Sequence, residues 1–198
     1  MARSAKSDPI RNFKFQVTIN PVGALDSSAE GLARIGFAAM SGLSVQNEMV
    51  GYREGGMNTH PHKFVGQSDF APVTFSRGVF ENQAQMYKWQ QFLHSWNQAT
   101  GGSTSLDNRY RCDIFVQVFD HPVSTGSYLN PESTDSNNID LGAARFGFKL
   151  FNCWPGAYSL SDLNAGDSGI IVQQLTVHHE GFVVGWNAED LATIRALS

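Results

Sequence analysis

Between Asn12 and Asn20 the chain alternates without interruption. Phe13, Phe15, Val17 and Ile19 fall on one side, and Lys14, Gln16 and Thr18 on the other. A period of two sends successive side chains to opposite faces of a strand, so this segment predicts a half-buried strand. Pro21, which cannot donate to a ladder, ends it. The period returns at 111–119, where Cys112, Ile114, Val116 and Val118 share a face. It returns again at 169–179, where Gln174, Thr176 and His178 oppose Ile171, Leu175 and Val177, and continues after Gly181 as Phe182, Val184 and Trp186. Further strands are expected at 34–41, 43–52, 72–77 and 145–151, with Ser41-Gly42 as a bend or bulge. One segment has the helical period instead. From Asn82, an expected N-cap, to Gln98, the residues Met86, Trp89, Leu93 and Trp96 form one apolar stripe, and Gly101-Gly102 ends it. Ala188–Leu197 suits a short terminal helix opened by Glu189 and Asp190. About seven strands and one long helix predict a mainly-β fold: two packed antiparallel sheets, as a barrel or sandwich, with one flanking α-helix.

At 198 residues the chain suits one domain, 9–198, behind a flexible arm at 1–8. An extended loop or long hairpin tip is expected over about 46–66, where Gly55, Gly56, Pro61 and Gly66 cluster. Cys153-Trp154-Pro155-Gly156 reads as a turn, 157–168 as a polar loop, and 120–143 as a long polar insertion. With 14 basic and 18 acidic residues the formal charge is −4, which disfavours stable binding to nucleic acid but suits a surface past which DNA slides. Cys112 and Cys153 sit in apolar runs and read as buried small hydrophobes, not a disulfide or a metal pair. Arg3 and Lys6 are followed by no apolar stretch, so no secretory signal is expected, and no run is long enough to span a membrane as a helix. Folding in the cytosol is the resulting expectation.

Residues that invite a chemical reading have plainer explanations. Gly166-Asp167-Ser168-Gly169 echoes a serine-protease nucleophile segment, but Ile170-Ile171 follows where another Gly belongs, and the segment reads as turn chemistry. His178 and His179 are adjacent on a strand and point to opposite faces, so they cannot readily share an ion. His60 and His62 could lie on one side of a loop, yet no cysteine or carboxylate cluster accompanies them. Phosphate-cradling glycine motifs are absent. No catalytic residue, cofactor or metal is expected, and the chain is read as a non-enzyme.

What remains is the order of residues from Ile35 to Trp89. Ser41-Gly42-Leu43 leads to Glu48 and then to Tyr52-Arg53-Glu54-Gly55-Gly56; Pro72-Val73-Thr74 and Arg77-Gly78 follow, then Tyr87-Lys88-Trp89. Together with a last strand ending His179-Glu180-Gly181-Phe182, this order and spacing resemble the tail-tube proteins of contractile phages and related injection machines (the Hcp-like tube fold). The resemblance implies two sheets and a flanking helix, with six copies forming a ring whose strands join around a lumen, and rings stacking into a tube within a sheath. It implies a role as the inner-tube subunit of a phage tail or bacterial injection system. The protein would then sit in the virion tail or injection particle, assembled in the cytoplasm of the host or producing cell. Expected partners are itself as stacked hexameric rings, the sheath, the baseplate and tube-end proteins, with DNA or protein cargo in passage and no membrane insertion of the isolated subunit. It also implies a loop, here about 46–64, that reaches neighbouring subunits. Glu48, Tyr52, Arg53, Glu54, Gly55 and Gly56 are the expected interface residues; Gln174, Thr176 and His178 are the candidate lumen or polar sheet face. Two alternatives remain open: a tube-initiating or tube-ending ring protein, and a monomeric β-barrel module for a small ligand.

Overall fold

The computed structural model describes residues 9–21, 25, 32, 35–56, 59–97, 110–119, 144–166 and 168–197. The expected arm at 1–8, the insertion at 120–143, Gly101-Gly102 and the Trp96 side chain lie outside the described residues. The elements are β1 (Phe15–Asn20), β2 (Ala39–Ser41), β3 (Val45–Tyr52), β4 (His62–Phe70), β5 (Val73–Gly78), α1 (Gln85–Asn97), β6 (Cys112–Phe119), β7 (Ala144–Leu160), β8 (Val172–His178), β9 (Gly181–Gly185) and α2 (Ala188–Ala196).

The architecture turns on β7. Its first part pairs antiparallel with β6 and β9, and β6 in turn pairs with β1. Its second part pairs with β8, which pairs with β5, and β5 with the short edge strand β2. One strand therefore belongs to two sheets. The changeover falls at the segment whose composition predicts a turn. Pro155 is accommodated beside a register shift between Pro155 and Ala157, the place where a sheet tolerates a missing donor. Gly156 is needed there, because a Cβ would lie 2.4 Å from the His178 ring. The expected turn is thus a bulge that re-aims a continuous strand, and 157–160 is strand, not loop.

The two sheets enclose one core. Val17, Ile19, Ile114, Val116, Phe148 and Leu150 from the first sheet meet Val73, Phe75, Leu175 and Val177 from the second. α1 closes the core with Met86 and Trp89, and the Trp89 indole N–H donates to the Tyr110 carbonyl at 3.2 Å. Asn82 is not the N-cap: it has φ 60° in a turn, and the helix starts at Gln85. α2 is capped by the Asn187 side chain, which accepts from the Asp190 N–H. It covers the other face of the first sheet through Leu191 and Ile194 against Phe115. Among the described elements, the expected long helix and the expected short terminal helix flank the sheets. Among the described residues the two packed sheets do not close into a barrel, so the sandwich form of the expectation holds.

Cys112 and Cys153 face each other across β6 and β7 as free, buried thiols. Burial pushes both well above the ordinary value of 9.0, and the Asp113 charge adds to it at each. The unfolded thiols ionise near 9 while the folded ones do not, so stability is intact below that pH and falls above it. Between pH 9 and 10 denaturation midpoints should fall by an amount equivalent to about 1 kcal/mol per thiol, the slope steepening towards about 1.4 kcal/mol per pH unit above that. A Cys112→Ala/Cys153→Ala protein should lack that component of the slope.

Candidate assembly surfaces

Among the described residues, β3 and β4 form a hairpin that pairs only with itself. The register runs from Val45 opposite Phe70 to Tyr52 opposite His62, with a shift after Asn47. Of the two expected forms, extended loop or long hairpin tip, the segment takes the hairpin, with His62–Phe70 as its second strand. The hairpin carries apolar residues on both faces and, Phe70 at its root apart, hides none of them: Val65 is 82% exposed, Met49 58% and Phe64 56%. Every residue of β3 is exposed. A lone two-stranded hairpin with this composition is marginal in water and calls for a partner.

Its root, by contrast, is fixed. Gly42 has φ 98°, and a Cβ there would lie 2.5 Å from the Pro72 carbonyl oxygen, so only glycine makes the bend that launches β3. The Ala71 N–H donates to the Ser44 carbonyl at 3.1 Å. His179 is buried, with Nε2 3.1 Å from the Ala71 oxygen and Nδ1 3.2 Å from the Gly181 oxygen, and its ring lies against Phe70 and Phe182. The chain thus clamps the base of the hairpin and leaves the rest in solvent.

The expected interface residues all lie on this projection. Glu48 sits at the register shift of β3, Tyr52 at its end, packed at 6.4 Å against Phe64. Arg53, Glu54, Gly55 and Gly56 form the exposed approach to the tip, with Gly56 at φ 100°. His60 and His62 do come together, 6.2 Å between ring centroids. Among the described residues no three His, Cys, Asp or Glu side chains gather as a metal site. Ser168 lies on the exposed loop after β7.

The second surface is the outer face of the second sheet. Across its four strands Ala39, Ser76, Gln174 and Ser159 form one row, and Ser41, Thr74, Thr176 and Ala157 the next. Thr74 and Thr176 hydroxyls are 3.3 Å apart, and His178 stacks on Trp154 at 4.6 Å. The face brings Gln174, Thr176 and His178 together, and its two rows hold only small, neutral, hydrogen-bonding or methyl groups. The contribution of β2, β5 and β7 to it could not be read from any one segment, because only the pairing of β2 with β5, β5 with β8 and β8 with β7 brings these rows together. Its two open edges are β2 and the end of β7.

The family model described as T4-like virus tail tube protein gp19 matches residues 11–183. Among solved structures, the anti-feeding prophage cap (AFP tube terminating cap) is 20% identical, covers 94% of this chain and 95% of its own, and superposes with a TM-score of 0.63. The sheath-tube complex of an extracellular contractile injection system (PVC, extended state) is 19% identical over 92% of this chain and 95% of its own, with a TM-score of 0.61. The sheath/tube terminator of that PVC system is also 19% identical, over 90% and 98%, with a TM-score of 0.61. At such identities these likenesses establish a shared fold. No curated protein sequence matches.

Proposed function

Because this chain belongs to the T4-like virus tail tube protein family, we propose that it is the inner-tube subunit of a contractile phage tail or injection system, acting by assembly and not by catalysis. The observation that carries this reading is the unpartnered hairpin beside an open-edged sheet. Exposed sheet edges and a two-faced apolar hairpin are liabilities in a monomer and assets in a ring, where each edge finds the next copy. Six copies form the ring, with β2 of one meeting the end of β7 of the next. The face bearing Gln174, Thr176 and His178 lines the lumen. A neutral, polar wall offers phosphate nothing to hold, so DNA or protein passes without adhering. Glu48, Tyr52, Arg53, Glu54, Gly55 and Gly56 contact sister copies. Sheath, baseplate and tube-end proteins complete the assembly in the virion tail or injection particle, built in the producing cell's cytoplasm.

The likeness to a tube terminating cap supports a second reading, a ring that ends a tube. Negative-stain microscopy of the purified protein separates the two. Hollow rods are the expected result; isolated rings would favour the tube-end role. Monodisperse monomers, with no assembly when sheath protein is added, would overturn both.

A further inference from the structure

Cys112 opens β6, and Cys153 lies opposite it on β7, close to where that strand leaves the first sheet for the second. Partners directly opposite in an antiparallel ladder have Cα atoms about 4.5–5.5 Å apart, inside the range that a disulfide spans. Distance alone is not enough, because both sulfurs must also leave the same face. Cys112 is two residues before Ile114 and shares its inward face, and both are buried in the core. Cys153 is three residues after Leu150, so an unbroken strand would turn it away from the core. A register shift corrects this: between the Cys112–Cys153 and Ile114–Leu150 pairs, β7 has one residue more than β6. Asn152 sits in that bulge at φ 53°, its N–H donating to the Asp113 carboxylate at 3.1 Å. The bulge brings Cys153 inward, 0% exposed, into the same cluster as Cys112. The Cys153 sulfur hydrogen-bonds the Ile114 backbone across the ladder, and Cys112 lies near enough to feel a charge on Cys153.

We propose that Cys112 and Cys153 form a redox-dependent staple: free thiols in a reducing compartment, and a disulfide once a low-molecular-weight disulfide such as oxidised glutathione is in excess. The thiolate of one cysteine attacks a sulfur of the oxidant, releasing one small thiol and leaving a mixed disulfide. The thiolate of the other then attacks the protein's own sulfur in that mixed disulfide, and the second small thiol leaves. One Sγ–Sγ bond forms and the oxidant's S–S bond is cleaved. Two electrons pass from the cysteines to the oxidant, and the two thiol protons end on the released thiols. Burial suppresses the thiolate, so in the folded protein the reaction is slow and proceeds through local opening at the start of β6.

The bond closes a loop of about 40 residues, which restricts the unfolded chain and so favours the folded one. It ties β6 to β7 just before Pro155, where one strand passes between the sheets, so both sheets are held at their common strand. Its timing rests on the tube reading above: a subunit built in a reducing cytoplasm meets oxidising conditions when the particle leaves the cell. A bond suits the pair better than a metal, since among the described residues no third ligand joins it.

The test starts from full-length protein purified in reductant and transferred to excess oxidised glutathione at about pH 8, where exposed thiols begin to ionise. A second sample is refolded from guanidinium chloride through the same buffer, so that burial cannot hide the thiols. The refolded protein should lose the mass of two hydrogens and take up no alkylating agent in denaturant until it is reduced. Its guanidinium midpoint should rise by roughly 0.5 M or more. The native sample should reach the same state more slowly. Cys112→Ala and Cys153→Ala singly should carry at most a glutathione adduct and show no rise. Two alkylatable thiols in the refolded protein, or a bonded protein with an unraised midpoint, would overturn the staple. Microscopy of the same samples keeps the two readings apart. Bonded protein that forms neither rings nor rods would overturn the tube reading alone, and rods whose subunits keep two free thiols after oxidation would overturn the staple alone.

Discussion

A protein in which residues 46–69 are replaced by a short Gly-Ser link should fold normally and fail to assemble. Val45 and Phe70 face each other in the ladder, so a short link closes the gap without strain. The hairpin's own pairing is its main contact, and the root contacts made by Ser44, Phe70, Ala71 and His179 are retained. Monomer stability should therefore change by no more than about 1 kcal/mol, as for surface changes in general. Assembly is a different matter. Val45, Met49, Val50, Tyr52, Phe64 and Val65 are each about half exposed or more. Covering the exposed part of each contributes about 1 kcal/mol, and all but Val45 are lost with 46–69, so roughly 5 kcal/mol per copy is forfeited. Light scattering and negative-stain images of intact and shortened proteins at equal concentration provide the check. Rods from the shortened protein would exclude the hairpin as an interface.

The second large effect concerns Lys149, whose replacement by Ala should cost about 2–3 kcal/mol. Its side chain lies under α2, 3% exposed, with Nζ 3.0 Å from Asp113 Oδ2 and donating to the Leu197 carbonyl just past the helix end. A cation at a helix C-terminus is favourable in itself. Removing it strands Asp113, which also accepts from the Asn152 N–H at 3.1 Å. Asp113 keeps about a quarter of its side-chain exposure, so the loss is smaller than for a fully buried pair. Denaturant melts are best made in the hairpin-less background, where association does not add to apparent stability. Lys149→Met combined with Asp113→Asn should recover most of the loss, because no charge is then left uncompensated. An unchanged midpoint for Lys149→Ala would show that the pair contributes nothing to the fold.

Lys149 also marks where reading along the chain stops. In Arg145–Phe151 a lysine looks like the solvent side of a strand, and so it would be if only one face of that sheet were covered. α2 covers the other face, and whether a short C-terminal helix docks there is settled by Phe115, Leu191 and Ile194 meeting in space. Arg77 differs: it follows Val73 and Phe75 at period two on the buried face of β5, and only the register decides that Gln173 lies opposite it.

The hairpin was half legible. Glycines at 55 and 56 mark the turn, Gly66 falls inside β4, and the spacing shared with tail-tube proteins marks a projection, but 62–69 has no clean alternation because neither of its faces is buried in the monomer. Period-two patterning records burial, and a strand exposed on both sides leaves no record. The expected turn at Pro155-Gly156 failed for a related reason. Those residues do interrupt a ladder, and here the interruption serves to move one strand from one sheet to the next.

By itself, then, the sequence determined the mainly-β character, the core faces of β1, β6 and β8, the apolar stripe of α1 and the family, since periodicity and motif order are properties of the chain read in line. The tertiary structure alone decided that β7 serves two sheets, that a neutral face is assembled from four separate segments, and that the hairpin stands free. Each of those depends on which strand lies beside which, and pairing partners far apart in sequence leave no local trace in either.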